Sequence, residues 1–268
     1  LAAAAFAAPA LAGASPQPCA LSEGQLPTGA LAYISAAEAC LATPPEGLSL
    51  DADLSADVLT ELNLRRAEKG LIPLRERAGL SRAAALHAFE LAVSQTDTHR
   101  DGLGRGHADR IAALDRTVLV SISGENIALV PTAFASDPVA LISARLASSE
   151  NSVENMMRSG FTDVGIAVVK ADGLYYVVQV FASVEGELET PIPASLATRA
   201  LLSVAFEDPA VRMTGIRLND ASGKTLAIQK SRRLSPQATD SELAYVKIAA
   251  QKDGQARLFR GPMVGFDQ

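Results

Sequence analysis

An imidazole beside a carboxylate can hold a divalent metal or act as an acid/base pair, because histidine titrates near neutrality and a neighbouring carboxylate stabilises its charged form. The chain offers three histidines, His87, His99 and His107. His87 lies in an Ala-rich helical run, where a packed or capped core histidine is the expectation, and His107 lies in a Gly-rich loop, where exposure is expected. His107 would supply a ligand only if that loop folds inward. Glu150 and Glu154 are spaced to share one helical face and read as solvated surface charges. No H-E-x-x-H pair, G-x-S-x-G elbow, P-loop or strand-following G-x-G-x-x-G is present, so the established hydrolase and nucleotide-binding classes gain no support. The remaining reactive side chains are Cys19 and Cys40; an even count in a chain with an export-like start predicts a disulfide. Closing a loop of roughly 20 residues would stabilise by about 3 kcal/mol.

The start in question is Leu1–Ala14, LAAAAFAAPALAGA, an apolar run with A-x-A-like sites at Ala10-Leu11-Ala12 and Ala12-Gly13-Ala14. It reads as the end of a secretory signal entered part-way, which predicts a secreted or periplasmic protein, and it is too short to span a bilayer. Residues 15–54 then read as a disulfide-clasped leader with good helix formers from Ala30 to Ala39. The net charge of −6 carries no basic stripe, so nucleic acid is not an expected partner. Aromatic residues make up 4% and Trp is absent, which disfavours the stacking platforms used for single strands.

The elements that must position any site follow from periodicity. Val58, Leu59, Leu62 and Leu64 recur at helical spacing before Gly70, and a second helix runs from Ser81 as N-cap through Ala92. Short helices are predicted at Asp109–Leu114 and at Pro138–Leu146 behind Ser136-Asp137. Val164–Val169 and Leu174–Ala182 flank Ala171-Asp172-Gly173, a hairpin signal. Residues 185–194, charged and Pro-bearing, read as a linker, and residues 195–268 as a β-rich domain of at least four short strands.

Four blocks in the middle of the chain resemble the CAP superfamily of cysteine-rich secretory, antigen-five and pathogenesis-related proteins, in its bacterial SCP-like form. They are Asn63-Leu64-Arg65-Arg66 with Gly70-Leu71-Ile72-Pro73-Leu74; His87, Thr98-His99, Asp101-Gly102 and Asp109-Arg110-Ile111; Gly124-Glu125-Asn126-Ile127-Ala128; and Ser149 to Met157 with Phe161–Ala167 and Tyr175–Phe181. Each block alone is weak, and the four in order across about 130 residues are specific. The resemblance implies an α+β fold, an α-β-α sandwich over residues 55–184, followed by the small antiparallel β-rich domain. It also implies a cleft where two His and two Glu converge. His99 and Glu125 match two of those four places, while Ser152 stands where bacterial members carry the second His, and Leu146 where they carry Trp.

That departure leaves His99 and Glu125 as the metal-ligand candidates and predicts at most a weakly bound divalent ion such as zinc, since a serine hydroxyl is a poor zinc ligand. Asn126 is expected to fix a turn beside them. With no ligand set that predicts catalysis, the resemblance points to a non-catalytic binding or interaction module with a lipid, peptide or envelope-protein partner. The alternatives are a metal-assisted, peptidase-like hydrolase using His99 and Glu125, and a structural subunit of an exported assembly.

Overall fold

A computed structural model of the chain describes residues 19–266 except 23, 25, 135 and 236–240. The signal reading of Leu1–Ala14 falls outside the described residues. Among the described residues six α-helices, α1 (Ala30–Ala42), α2 (Ala52–Glu68), α3 (Ala78–Ser94), α4 (His107–Leu114), α5 (Pro138–Ala147) and α6 (Glu150–Met157), surround a long sheet. Its principal strands are β1 (Val118–Pro131), β2 (Asp163–Ala171), β3 (Leu174–Leu188), β4 (Arg212–Asn219), β5 (Thr225–Gln229), β6 (Ala244–Lys252) and β7 (Gln255–Phe266), in the spatial order β2-β3-β1-β7-β6-β4-β5.

Alternation along β2 and β3 builds the sandwich, because successive strand residues face opposite sides of a sheet. Ala167, Val169, Val178 and Val180 pack under α1, α3 and α4, whereas Val164, Ile166, Val168, Val177 and Phe181 pack under α2, α5 and α6. Gly165 lets α3 lie directly on β2, since a Cβ there would collide with the Leu80 backbone. The hairpin turn runs through Asp172 and Gly173, both with positive φ, as a two-residue primed turn requires. Local caps fix the helix starts: Asp51 accepts from Leu54 N, Asp137 from Ala140 N and Ser149 from Ser152 N.

The opening block does structural work. Asn63 bonds the backbone of Leu74 in both directions, and buried Arg66 donates to the carbonyls of Ile72, Met156 and Arg158. The next helix starts at Ala78 rather than at Ser81, with Arg77 in the N-cap position, and Leu64 is exposed on α2. The disulfide Cys19–Cys40 forms and is buried with Tyr33, Ile34 and Ala37 of α1.

Residues 185–188, expected as the start of a linker, instead continue β3, and Leu188 and Ile192 are buried in a third core with Leu119, Ile216, Val246 and Phe259. The charges that suggested a linker lie on a stretch of strand paired on both sides, where Glu185 accepts from Ser121 and Glu187 pairs with Arg77. In turn Leu243, Tyr245 and Met263 reach into the core under α1 and α4. Among the described residues no helix is long and apolar enough to cross a membrane.

Candidate functional site

The site forms where the loop after α3, the start of α4 and the middle of β1 meet. α3 ends on Gln95, whose left-handed backbone turns the chain back over the sheet. His99 on this loop bonds Glu125 of β1 through Nδ1 at 2.9 Å from Oε1. The carboxylate is closed off, with 1% of its side chain exposed, while 59% of the His99 side chain faces solvent.

The second oxygen of Glu125 is taken as well. Arg110, fully buried on α4, donates through Nη2 to Oε2 at 3.1 Å and to the His99 carbonyl at 3.1 Å. Its Nη1 lies 3.6 Å from Glu90, and Glu90 bonds His87 Nδ1 at 2.9 Å. His87 Nε2 meets the Thr98 carbonyl at 2.9 Å and lies 3.8 Å from Glu125. Two carboxylates and one guanidinium therefore share an enclosed network with two imidazoles at its ends. Burial opposes the charge on Glu125, but Arg110 and the His99 hydrogen bond outweigh it and hold the carboxyl down at about 2. The same hydrogen bond raises His99 above its ordinary value, against partial burial.

The His99–Glu125 pair forms a wall between two cavities. One, of about 220 Å³, is lined by Asn126, Arg145, Ser149, Asn151 and Ser152. The other, of about 230 Å³, is lined by Arg100, His107, Asp109 and Arg260. Ser152 thus lines the cavity beside Glu125, and its carbonyl accepts from Asn126. Asn126 sits inside β1, not in the expected turn: it donates to Ser152 and Gln179 and accepts from Asn155 at 3.0 Å, tying α6 to the sheet. Gly124 makes room for this, since a Cβ there would fall 2.8 Å from Asn155 Oδ1. His107 turns inward to the second cavity rather than out to solvent, and burial lowers its pKa. Glu150 and Glu154 are exposed on α6, Glu154 paired with Arg158.

The donor set does not fit a tightly held dication. Both Glu125 oxygens are engaged, a guanidinium occupies the space opposite the carboxylate, and Ser152 is no imidazole. Among the described residues no three His, Cys, Asp or Glu side chains are arranged to hold a metal ion. Sequence reasoning missed part of this network. Arg110 belonged to one of the motif blocks and Glu90 to none, and nothing in their spacing shows that a helix two turns long and α3 face the same carboxylate. Arg260 lies about 135 residues beyond Glu125 and carried no signal.

The model of the cysteine-rich secretory protein family, CAP, matches residues 59–181. No curated protein matches the chain. Among solved structures, an outer surface protein from Borrelia burgdorferi is similar at 18% identity and a TM-score of 0.43, over 50% of this chain and 94% of that one. An extracellular protein containing an SCP domain, from Bacillus anthracis, is similar at 18% identity and a TM-score of 0.41, over 48% of this chain and 40% of that one.

Proposed function

Because residues 59–181 are a domain of the cysteine-rich secretory protein family, we propose that this protein is an exported, non-catalytic binding module whose cleft on either side of His99 and Glu125 holds a ligand. The observation that carries this reading is the saturation of Glu125. A general base working near neutrality needs a pKa close to the working pH, and a zinc site needs a carboxylate not already held by a guanidinium. Glu125 meets neither need, since His99 and Arg110 each engage one of its oxygens and hold its carboxyl down at about 2. What the network supplies instead is a rigid polar wall with the exposed edge of His99 presented to both cavities. Preorganised walls of this kind suit recognition, because little is lost in ordering them on binding. The disulfide supports an oxidising compartment, in keeping with the export-like start.

Native mass spectrometry of protein recovered from an oxidising compartment tests the reading, comparing wild type with Ser152→Trp, which fills the cavity beside α6. A bound mass in the wild type that the variant lacks is expected. Peptidase or esterase turnover that disappears in His99→Ala would overturn the reading in favour of the hydrolase.

A further inference from the structure

A third cavity, of about 260 Å³, shares Arg100, Asp109 and Arg260 with the cavity beside His107 and is also walled by Arg105, Asp220 and Lys247. Two of its lining residues, Lys247 and Arg260, belong to an unusual row. Lys247 on β6 stands directly opposite Arg217 on β4 and directly opposite Arg260 on β7. Three cations thus lie in register on three neighbouring strands, an arrangement that destabilises a sheet because like charges face each other at cross-strand distance. In a chain whose net charge is −6, carboxylates were available to relieve it.

The acids nearby do not do so. Asp220 is spent within its own turn on Ser222 and on the Lys224 backbone. Asp109 accepts from Gly106 N, from the Tyr245 hydroxyl and from Arg260 at 2.7 Å, and so balances one cation of the row. Asp101 is held by Arg105. Among the described residues neither Arg217, Lys247 nor Arg100 has an ion-pair partner, and Arg260 Nε has no hydrogen-bond partner. Burial and the neighbouring Arg260 and Arg217 lower the pKa of Lys247, as expected of an unrelieved cation.

We propose that this corner, between the family domain and the C-terminal strands, is a binding site for a phosphate group, carried by a soluble phosphate ester or by a lipid headgroup. A cavity bordered by Arg100, Lys247 and Arg260 suits a multiply charged oxyanion better than a lone carboxylate, and the guanidinium fork matches phosphate oxygens in pairs. Phosphate would repay the cost of the row, a pattern in which stability is given up for a site. This site rests on the binding reading above only in that the corner shares Arg100, Asp109 and Arg260 with the cavity beside His99.

Calorimetric titration of the full chain with glycerol phosphate and with inorganic phosphate, for wild type, Lys247→Gln and Ser152→Trp, decides it. The wild type is expected to bind, Lys247→Gln to bind at least about tenfold more weakly, and Ser152→Trp to bind as the wild type does. Lys247→Gln is also expected to melt no lower than wild type without phosphate, since it removes a repulsion; a residue needed only for folding would not behave so. Cosedimentation with phosphatidylglycerol vesicles but not with phosphatidylcholine vesicles would assign the phosphate to a lipid headgroup, and calorimetric binding without cosedimentation to a soluble ester. No binding to the wild type by either method, or equal binding by Lys247→Gln, would overturn the site. Loss of the cavity-dependent mass in Ser152→Trp with phosphate binding intact tests the cleft separately.

Discussion

At the scale of single residues the decisive group is Arg110. It is a fully buried guanidinium facing both Glu90 and Glu125, and removing one partner of a buried ion network leaves an uncompensated charge that costs about 3–5 kcal/mol. Arg110→Met is therefore expected to lower the unfolding free energy by that amount in urea titrations, and Arg110→Met combined with Glu125→Gln to recover part of it. An Arg110→Met loss under about 1 kcal/mol would mean that the network is hydrated and not closed. The same network sets a pH dependence. Glu125 is held at about 2 against an ordinary 4.5, so its contribution is complete above pH 4.5 and fades as pH falls towards 2, about 3 kcal/mol in all. His99 is raised above 6.5 by Glu125, so its contribution is complete below 6.5 and fades as pH rises through the folded value. Stability drawn from the pair should peak between about pH 4.5 and 6.5. Urea midpoints across pH 2–8, wild type against Glu125→Gln, check this; a difference that does not vary with pH would refute it.

At the scale of elements, helices and the hairpin were legible because their signals are local. Asp137 and Pro138 announce α5, and Asp172-Gly173 announces the β2–β3 turn. The central strand β1 was not read as a strand. Its middle, Gly124-Glu125-Asn126, is polar because it faces the site, and the polar residues break the alternation that marks strands. The linker reading starts too early for the converse reason: residues 185–188 are strand, and Glu185 and Glu187 are partnered by Ser121 and Arg77, contacts that sequence spacing does not show. His99 and Glu125 were found through motif resemblance, whereas their saturation by Arg110 and the inward turn of His107 depend on how α4 docks. α1 offers a test of its own. It is held by the Cys19–Cys40 bridge, 21 residues apart in sequence, so reduction is expected to cost about 3 kcal/mol. Intact-mass analysis with and without reductant, paired with melting curves, measures it; two free thiols in protein from an oxidising compartment would contradict the bridge.

At the scale of the whole molecule, three cores share strands. Leu119 of β1 packs with the C-terminal strands, while Leu243, Tyr245 and Met263 pack beneath α1 and α4. Residues 195–268 thereby complete the cleft, since Arg260 closes the cavity next to His99. A shared core predicts one cooperative unfolding transition, with the Tyr245–Asp109 region and the α2–α5–α6 core lost together. Two separated calorimetric transitions would show that the C-terminal strands fold apart. If the cleft binds through the hydrogen-bonded His99–Glu125–Arg110 wall and not through a metal centre, zinc calorimetry on the full chain at neutral pH tests this most directly. Binding weaker than roughly millimolar is predicted for the wild type, with at most about a tenfold gain in Ser152→His, equal to about 1.4 kcal/mol. Micromolar or tighter zinc binding by the wild type, abolished in His99→Ala, would contradict it.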